Sequence, residues 1–212
     1  LYNRTFFIEE LKRLDTERNL PLSIIMGDMN GLKLTNDIFG HAAGDMLLQK
    51  GAAILKKVCR ADDIIARIGG DEFVILLPKT DFEDCQSIME RIKGEFSKEH
   101  FKAIKGSISM GCAVKKRLDQ DITQILQDAE TQMYLDKTLH RKNNDREQIL
   151  RIVETLHERD PREKKHAEWV SAICERIGRL LGLPEREIVL LQKAGYLHDI
   201  GKIVQDESAP YK

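Results

Sequence analysis

Apolar positions along this chain recur in blocks that alternate between helical and extended spacing. In residues 5–19, Phe6, Phe7, Leu11 and Leu14 fall at helical intervals. Residues 20–26 form a short, nearly continuous apolar run, the pattern of a buried strand. Residues 44–59 return to helical spacing through Met46, Leu47, Ile54, Leu55 and Val58. Two extended runs follow at 64–68 and 72–77, separated by Gly69-Gly70-Asp71, so the pair predicts a β-hairpin. Residues 81–97 predict a helix with Phe82, Cys85, Ile88, Met89 and Ile92 on one face. Residues 104–114 predict a strand, and 121–139 a helix capped by Asp121. Helices alternating with antiparallel strands suggest an α+β arrangement, with helices packed on a central antiparallel sheet.

After Lys142-Asn143-Asn144 the pattern becomes entirely helical. Residues 145–159 carry Ile149, Ile152, Val153 and Leu156 as one stripe, Asp160-Pro161 breaks it, and helices follow at 166–181 and 185–197 around a Gly182-Leu183-Pro184 turn. This places a first domain at 1–144, a helical linker at 145–160 and a second, all-α part at 161–212.

The chain has 212 residues and a net charge of −1, so no global basic field points to nucleic acid or an anionic membrane. No apolar run approaches the length of a transmembrane helix, and these residues are expected to hold no signal peptide. Cys59, Cys85, Cys112 and Cys174 lack CxxC spacing and sit in apolar or helical contexts, which suits reduced thiols in a cytoplasmic protein rather than zinc ligands or disulfides. The opening Leu1-Tyr2-Asn3-Arg4 lacks a methionine and the chain stops soon after a His-Asp pair, as expected of a segment from a longer protein whose upstream part could carry a membrane anchor.

The candidate chemistry centres on RIGGDEFVILLP, residues 67–78. Its glycines allow a ligand close to the backbone, and Asp71 and Glu72 place carboxylates at the hairpin tip. A second carboxylate, Asp28, ends the apolar run LSIIMGDMN. Acidic groups at adjacent strand ends are what a divalent-metal site for nucleotide chemistry requires, although Gly-Gly-Asp also makes an ordinary solvated turn.

The run RIGGDEF resembles the signature of the GGDEF-domain family, the diguanylate cyclases. The resemblance extends to Leu1-Tyr2-Asn3-Arg4, to GDMNGLKLTNDIFGHAAGD at 27–45 and to DAETQMYLDKTLHR at 128–141. It implies a ferredoxin-like, cyclase-palm fold. It also implies condensation of two GTP into cyclic di-GMP and two pyrophosphates across a transient homodimer, with Mg²⁺ or Mn²⁺ as cofactor. By position, Asp28 and Asp71 are metal-bridging carboxylates, with the Met29 carbonyl as a further ligand. Glu72 is a ligand or assists deprotonation. Asn36 and Asp45 match guanine-reading positions, and Lys33, Lys137 and Arg141 match phosphate-contacting ones. Taken singly, Asn36-Asp37 could be a turn, Asp45 an N-cap and the Lys137/Arg141 pair a solvated face near a helix C-terminus. The last motif departs from the family in carrying Asp136 before Lys137 and His140 before Arg141, where Ala and Gly are usual. Arg60-Ala61-Asp62-Asp63, with five residues between it and Gly69, is an RxxD that in the family forms an inhibitory product site, with Arg91 as a secondary contact.

In the second part, HAEWVSAICERIGRLLGL and KAGYLHDIGKI resemble the start of an HD-type phosphohydrolase, more narrowly the HD-GYP branch that hydrolyses cyclic di-GMP. His166, His198 and Asp199 would be metal ligands and Lys202 a phosphate contact. Fe or Mn would fill the binuclear site only when the domain is complete, so this half is expected to be inactive as it stands and to expose apolar surface. Arg162 occupies a position where some relatives carry an acidic ligand. The leading expectation is an active, product-inhibited cyclase. The alternative is a non-catalytic GTP or cyclic di-GMP sensor that regulates an HD-GYP phosphodiesterase.

Overall fold

Residues Leu22–Met29 form a strand, β1, that is buried at all eight positions. A strand buried on both faces must lie inside a sheet covered on both sides. In the computed structural model, which describes residues 1–101 and 104–204, this is the arrangement found. The elements run α1 (Arg4–Leu14), β1, α2 (Leu32–Phe39), α3 (His41–Val58), β2 (Ile64–Arg67), β3 (Glu72–Leu77), α4 (Phe82–Lys98), β4 (His100–Phe101), β5 (Ile104–Lys105), β6 (Ile108–Lys115), α5 (Ile122–Arg159), α6 (Pro161–Leu180) and α7 (Glu185–Leu197). The chain divides into two units, Leu1–Asp145 and Arg146–Lys212, and the division falls within α5.

In the first unit the sheet order is β2-β3-β1-β6, with every pair antiparallel. Period-two alternation sends Ile25, Met29, Phe73, Ile75, Ile108 and Met110 to one face, where Leu47, Leu55, Ile88, Ile92 and Phe96 of α3 and α4 cover them. Ile24, Met26, Val74 and Leu76 face the other way, against Phe7 and Leu11 of α1 and Ala129 and Met133 of α5. Each fully buried Leu, Ile or Phe contributes about 1.5–3 kcal/mol relative to exposure. The antiparallel sheet with flanking helices agrees with the α+β reading. Cys59, Cys85, Cys112 and Cys174 are all free.

Several elements differ from the sequence expectation: the strand expected over 104–114 is divided into β5 and β6, and the helix expected from 166 begins at Pro161. Residues 32–39 form a helix, α2, that the pattern did not predict. Eight residues are too few to display a period, and Gly31 and Gly40, both at φ 80°, start and stop it. Consequently Asn36-Asp37 is helical rather than a turn, and Asp45 lies in the second turn of α3 rather than at its N-cap. Helix α5 also runs unbroken through Lys142-Asn143-Asn144. Residues 122–159 contain no Gly or Pro, and Asn lowers helix propensity by well under about 1 kcal/mol, so nothing stops the helix before Asp160-Pro161. Lys137 and Arg141 therefore sit inside a helix, not near its end.

Helix α5 is seated closely on the edge strand. A Cβ built on Gly111 of β6 would lie 2.1 Å from the Met133 nitrogen and 2.4 Å from the Ala129 oxygen. Asp136 Oδ2 accepts the Met110 N–H at 2.8 Å and pairs with Lys93 Nζ at 2.8 Å. The Asp136 that departs from the family motif thus fastens α5 to both β6 and α4.

In the second unit α6 and α7 form a helical hairpin. Asp160 caps α6 by accepting the Arg162 N–H at 2.9 Å, with Pro161 at the first helical position. Gly182, at φ 66°, closes it: the Gly182 N–H donates to the Arg179 carbonyl and the Leu183 N–H to that of Gly178. Trp169, Leu180 and Leu181 are exposed. No helix among the described residues is long and apolar enough to cross a membrane.

Candidate functional site

The β1–β3 register brings three carboxylates to one end of the sheet. Asp28 pairs with Glu72, and the Met29 N–H donates to the Asp71 carbonyl at 2.9 Å. That bond makes Met29/Asp71 the hydrogen-bonded position and Asp28/Glu72 the closer, non-hydrogen-bonded one. Like charges placed opposite one another destabilise a sheet unless something neutralises them. The Arg67 guanidinium donates to the Gly69 and Gly70 carbonyls at 2.7–3.2 Å and shapes the turn. Gly69 lies close under the Glu72 side chain: a Cβ on it would lie 2.5 Å from Glu72 Oε2, so a larger residue would push that carboxylate aside.

Asp28 is the unusual member. It is 4% exposed, and its Oδ1 is buried with no hydrogen-bond partner. Its Oδ2 accepts from Lys137 Nζ of α5 at 2.7 Å. Burial, with the nearby Asp71 charge adding to it, holds the Asp28 carboxyl above the usual range, and Lys137 opposes them only in part. A buried carboxylate oxygen without a donor costs about 1–3 kcal/mol or more. An orphaned oxygen beside two further carboxylates suits a hard divalent cation such as Mg²⁺, which prefers oxygen ligands.

Beyond this cluster, α2 and α3 bring Asn36 against Gly44, the neighbour of Asp45. A Cβ on Gly44 would lie 1.9 Å from Asn36 Oδ1, and that oxygen is likewise buried without a partner. Lys33 is exposed one turn before Asn36 on α2, and Asp45 is exposed on α3. Arg141 belongs to α5, but its side chain lies outside the described residues. The anchor formed by Asp136, Lys93 and the Met110 N–H had no signal in the sequence, because it depends on a helix and an edge strand meeting.

A second site lies where α3 ends and β2 begins. A cavity of about 530 Å³ is lined by Tyr2, Lys56, Cys59, Arg60, Asp63 and Ile65, among others. Asp63 Oδ2 accepts the Arg60 N–H at 2.6 Å, and burial raises its carboxyl above the usual range. Burial likewise pushes the Cys59 thiol up to about 12, so it lines the cavity as an unreactive thiol. Arg91 Nη2 donates to the Val58 carbonyl at 3.3 Å, which makes it a cap on α3 in this state.

In the second unit His166, His198 and Asp199 converge, with one ligand atom from each lying within 4.8 Å of the others. His198 Nδ1 is 2.8 Å from the Gly195 carbonyl, which favours the proton on Nδ1 and leaves Nε2 for a metal. Lys202 Nζ is 2.8 Å from Asp199 and about 3.0 Å from Glu163, and its hydrogen bond holds Asp199 below the usual carboxylate range. Glu163 was missed in the sequence, although it precedes His166 by one helical turn.

Residues 1–143 match the family described as "Diguanylate cyclase, GGDEF domain", and residues 164–211 match the "HD domain". Diguanylate cyclase A of Treponema denticola is 32% identical over 142 residues, covering 64% of this chain and 38% of that protein. Diguanylate cyclase DosC of Escherichia coli is 32% identical over 145 residues, covering 65% of this chain and 31% of that protein. The chain thus spans about a third of the length of these curated relatives. The crystal structure of the GGDEF domain of YfiN (TpbB) from Pseudomonas aeruginosa superposes with a TM-score of 0.58 at 29% identity, covering 66% of this chain and 91% of that one. Matching over two-thirds of its length, with the acidic sheet end and its turn in place, the chain belongs to the GGDEF-domain, diguanylate cyclase family.

Proposed function

We propose that the first unit condenses two GTP molecules into cyclic di-GMP with release of two pyrophosphates, two copies meeting as a transient homodimer. The observation that carries this is the buried, unpartnered Asp28 Oδ1 beside Asp71 and opposite Glu72. Asp28, Asp71, Glu72 and the Met29 carbonyl would hold Mg²⁺ or Mn²⁺. When bound, such an ion neutralises phosphate charge and lowers the pKa of a coordinated hydroxyl. The protein's own groups do the positioning. Asp45 accepts from guanine N–H groups that adenine lacks, with Asn36 beside it. Lys33 and Arg141 supply charge to the triphosphate. Lys137, now on Asp28 Oδ2, has a phosphate oxygen as its alternative partner. Arg60 and Asp63 bind the product and inhibit synthesis. In the second unit His166, His198 and Asp199 form a divalent transition-metal set of Fe or Mn type, with Lys202 as its phosphate contact.

Product analysis tests the cyclase reading. Incubation with GTP and Mg²⁺ is expected to yield cyclic di-GMP, and a chelator in excess is expected to stop it. GTP binding without product at high protein concentration would favour the sensor reading instead.

Specificity has its own test. In Gly44→Ala the new methyl group would displace Asn36. The KM for GTP is expected to rise about tenfold, the scale of one lost hydrogen-bonding partner in a polar pocket, with a smaller change in kcat. An unchanged KM would remove Asn36 from guanine recognition.

A further inference from the structure

The cavity at the end of α3 holds more recognition chemistry than an arginine and an aspartate. Tyr2 lines it and stays 47% exposed. Its ring is stacked on Phe6, with centroids 3.8 Å apart and planes 13° from parallel. Its backbone is fixed as well: the Tyr2 N–H donates to the Ile65 carbonyl at 3.0 Å, and its own carbonyl accepts the Arg67 N–H at 2.9 Å. These two bonds make Tyr2 a one-residue parallel extension of the edge strand β2, bridged to Ala66. An aromatic ring held at the backbone, backed by a second ring and left open to a cavity is a preorganised stacking platform. Lys56 and Arg60 line the same cavity, and their side chains make no hydrogen bond or ion pair among the described residues. Cations suit phosphate, a carboxylate suits purine N–H groups and an aromatic face suits a base. A volume of about 530 Å³ lies in the range of small-molecule sites.

We infer that Tyr2 is the base platform of this pocket: a guanine of the cyclic dinucleotide product stacks on its ring, backed by Phe6, while Lys56 joins Arg60 in holding phosphate. The inference rests on the proposal that Arg60 and Asp63 bind product. It adds two residues that the RxxD pattern does not contain, one of them more than fifty positions away in sequence. Phe6 limits the ring to one bound base face, so each pocket offers a single stacking place.

Calorimetric titration of the protein with cyclic di-GMP separates the two claims. Tyr2→Ala is expected to weaken binding about tenfold, the scale of one base–aromatic stack. Tyr2→Phe should keep the native affinity, because it retains the ring. Tyr2→Leu should behave like the alanine variant, because it covers Phe6 without a π face. Lys56→Ala is expected to weaken binding a fewfold, with a shallower salt dependence. Cyclic di-GMP synthesis at low product should be unchanged in all four, since none of these residues belongs to the acidic site. If Arg60→Ala leaves affinity intact, the product-site reading itself fails. If Arg60→Ala abolishes binding while Tyr2→Ala and Tyr2→Leu match the native protein, the platform is overturned and the product site stands.

Discussion

Asp28→Asn is expected to reduce cyclic di-GMP synthesis by at least about a hundredfold while raising the melting temperature of the first unit. The activity loss follows from removing a carboxylate from the proposed cation set, since each tenfold in rate corresponds to about 1.4 kcal/mol and such groups supply several. The stability gain follows from the environment of Asp28. Its folded-state pKa is raised by burial and by Asp71, so the folded unit binds this proton more tightly than the unfolded chain does. The destabilisation is fully present above the folded pKa and is relieved as pH falls through it. Asparagine keeps the shape and removes the charge. A rise of about 2–6 °C at neutral pH is the scale of one relieved buried group in a unit of this size. The gap between variant and native protein should narrow as the pH drops into the acidic range, where native Asp28 becomes neutral. Asp71→Ala should share the activity loss with a smaller gain, because the buried Asp28 charge remains. Thermal denaturation from pH 4 to pH 8 beside product assays checks the pair. A lower melting temperature for Asp28→Asn would mean that the ion pair with Lys137 outweighs burial.

Gly111→Ala is expected to be the most destabilising single methyl group in the first unit. Its Cβ would meet three backbone atoms of α5, at 2.1, 2.4 and 2.6 Å. Backbone of a helix packed against a sheet cannot turn aside as a side chain can, so α5 must lift from β6. The cost is about 3 kcal/mol or more, at the upper end of overpacking substitutions, and the melting temperature should fall by about 6–12 °C. Lifting α5 also carries Lys137 away from Asp28 and strains the Asp136 bond to the Met110 N–H. Gly51→Ala is the control. Its Cβ would meet the Met29 Cε at 2.0 Å, the free end of a flexible side chain that can move. It should cost far less, and equal losses from both variants would contradict the close helix–strand crossing.

Legibility in the sequence followed the range of the interactions. Strands β1 and β3 were readable because burial on both faces leaves an apolar run that needs no context. The Gly69-Gly70 turn was readable because turn chemistry is local. Helix α2 was not, since eight residues between two glycines carry no measurable period. The end of the first helical stripe of α5 was placed too early, because a change of composition at Lys142-Asn143-Asn144 is not a helix stop. Among the site residues, Asp28, Asp71 and Glu72 could be named from strand ends. The partner of Asp28 could not, because Lys137 lies 109 positions later.

The sequence by itself therefore determined most of the element types, the α+β class of the first unit, and the positions along the chain of Asp28, Asp71, Glu72 and the candidates His166, His198 and Asp199. Each of these depends on local spacing or on a motif of a few residues. The tertiary structure alone decided which face of β1 carries Asp28, that one of its oxygens lacks a partner, that Asn36 sits on Gly44 and that Tyr2 lines the cavity beside Arg60. Those facts depend on strand register and helix seating, which are set by the summed packing of residues distant in the chain and are encoded at no single position.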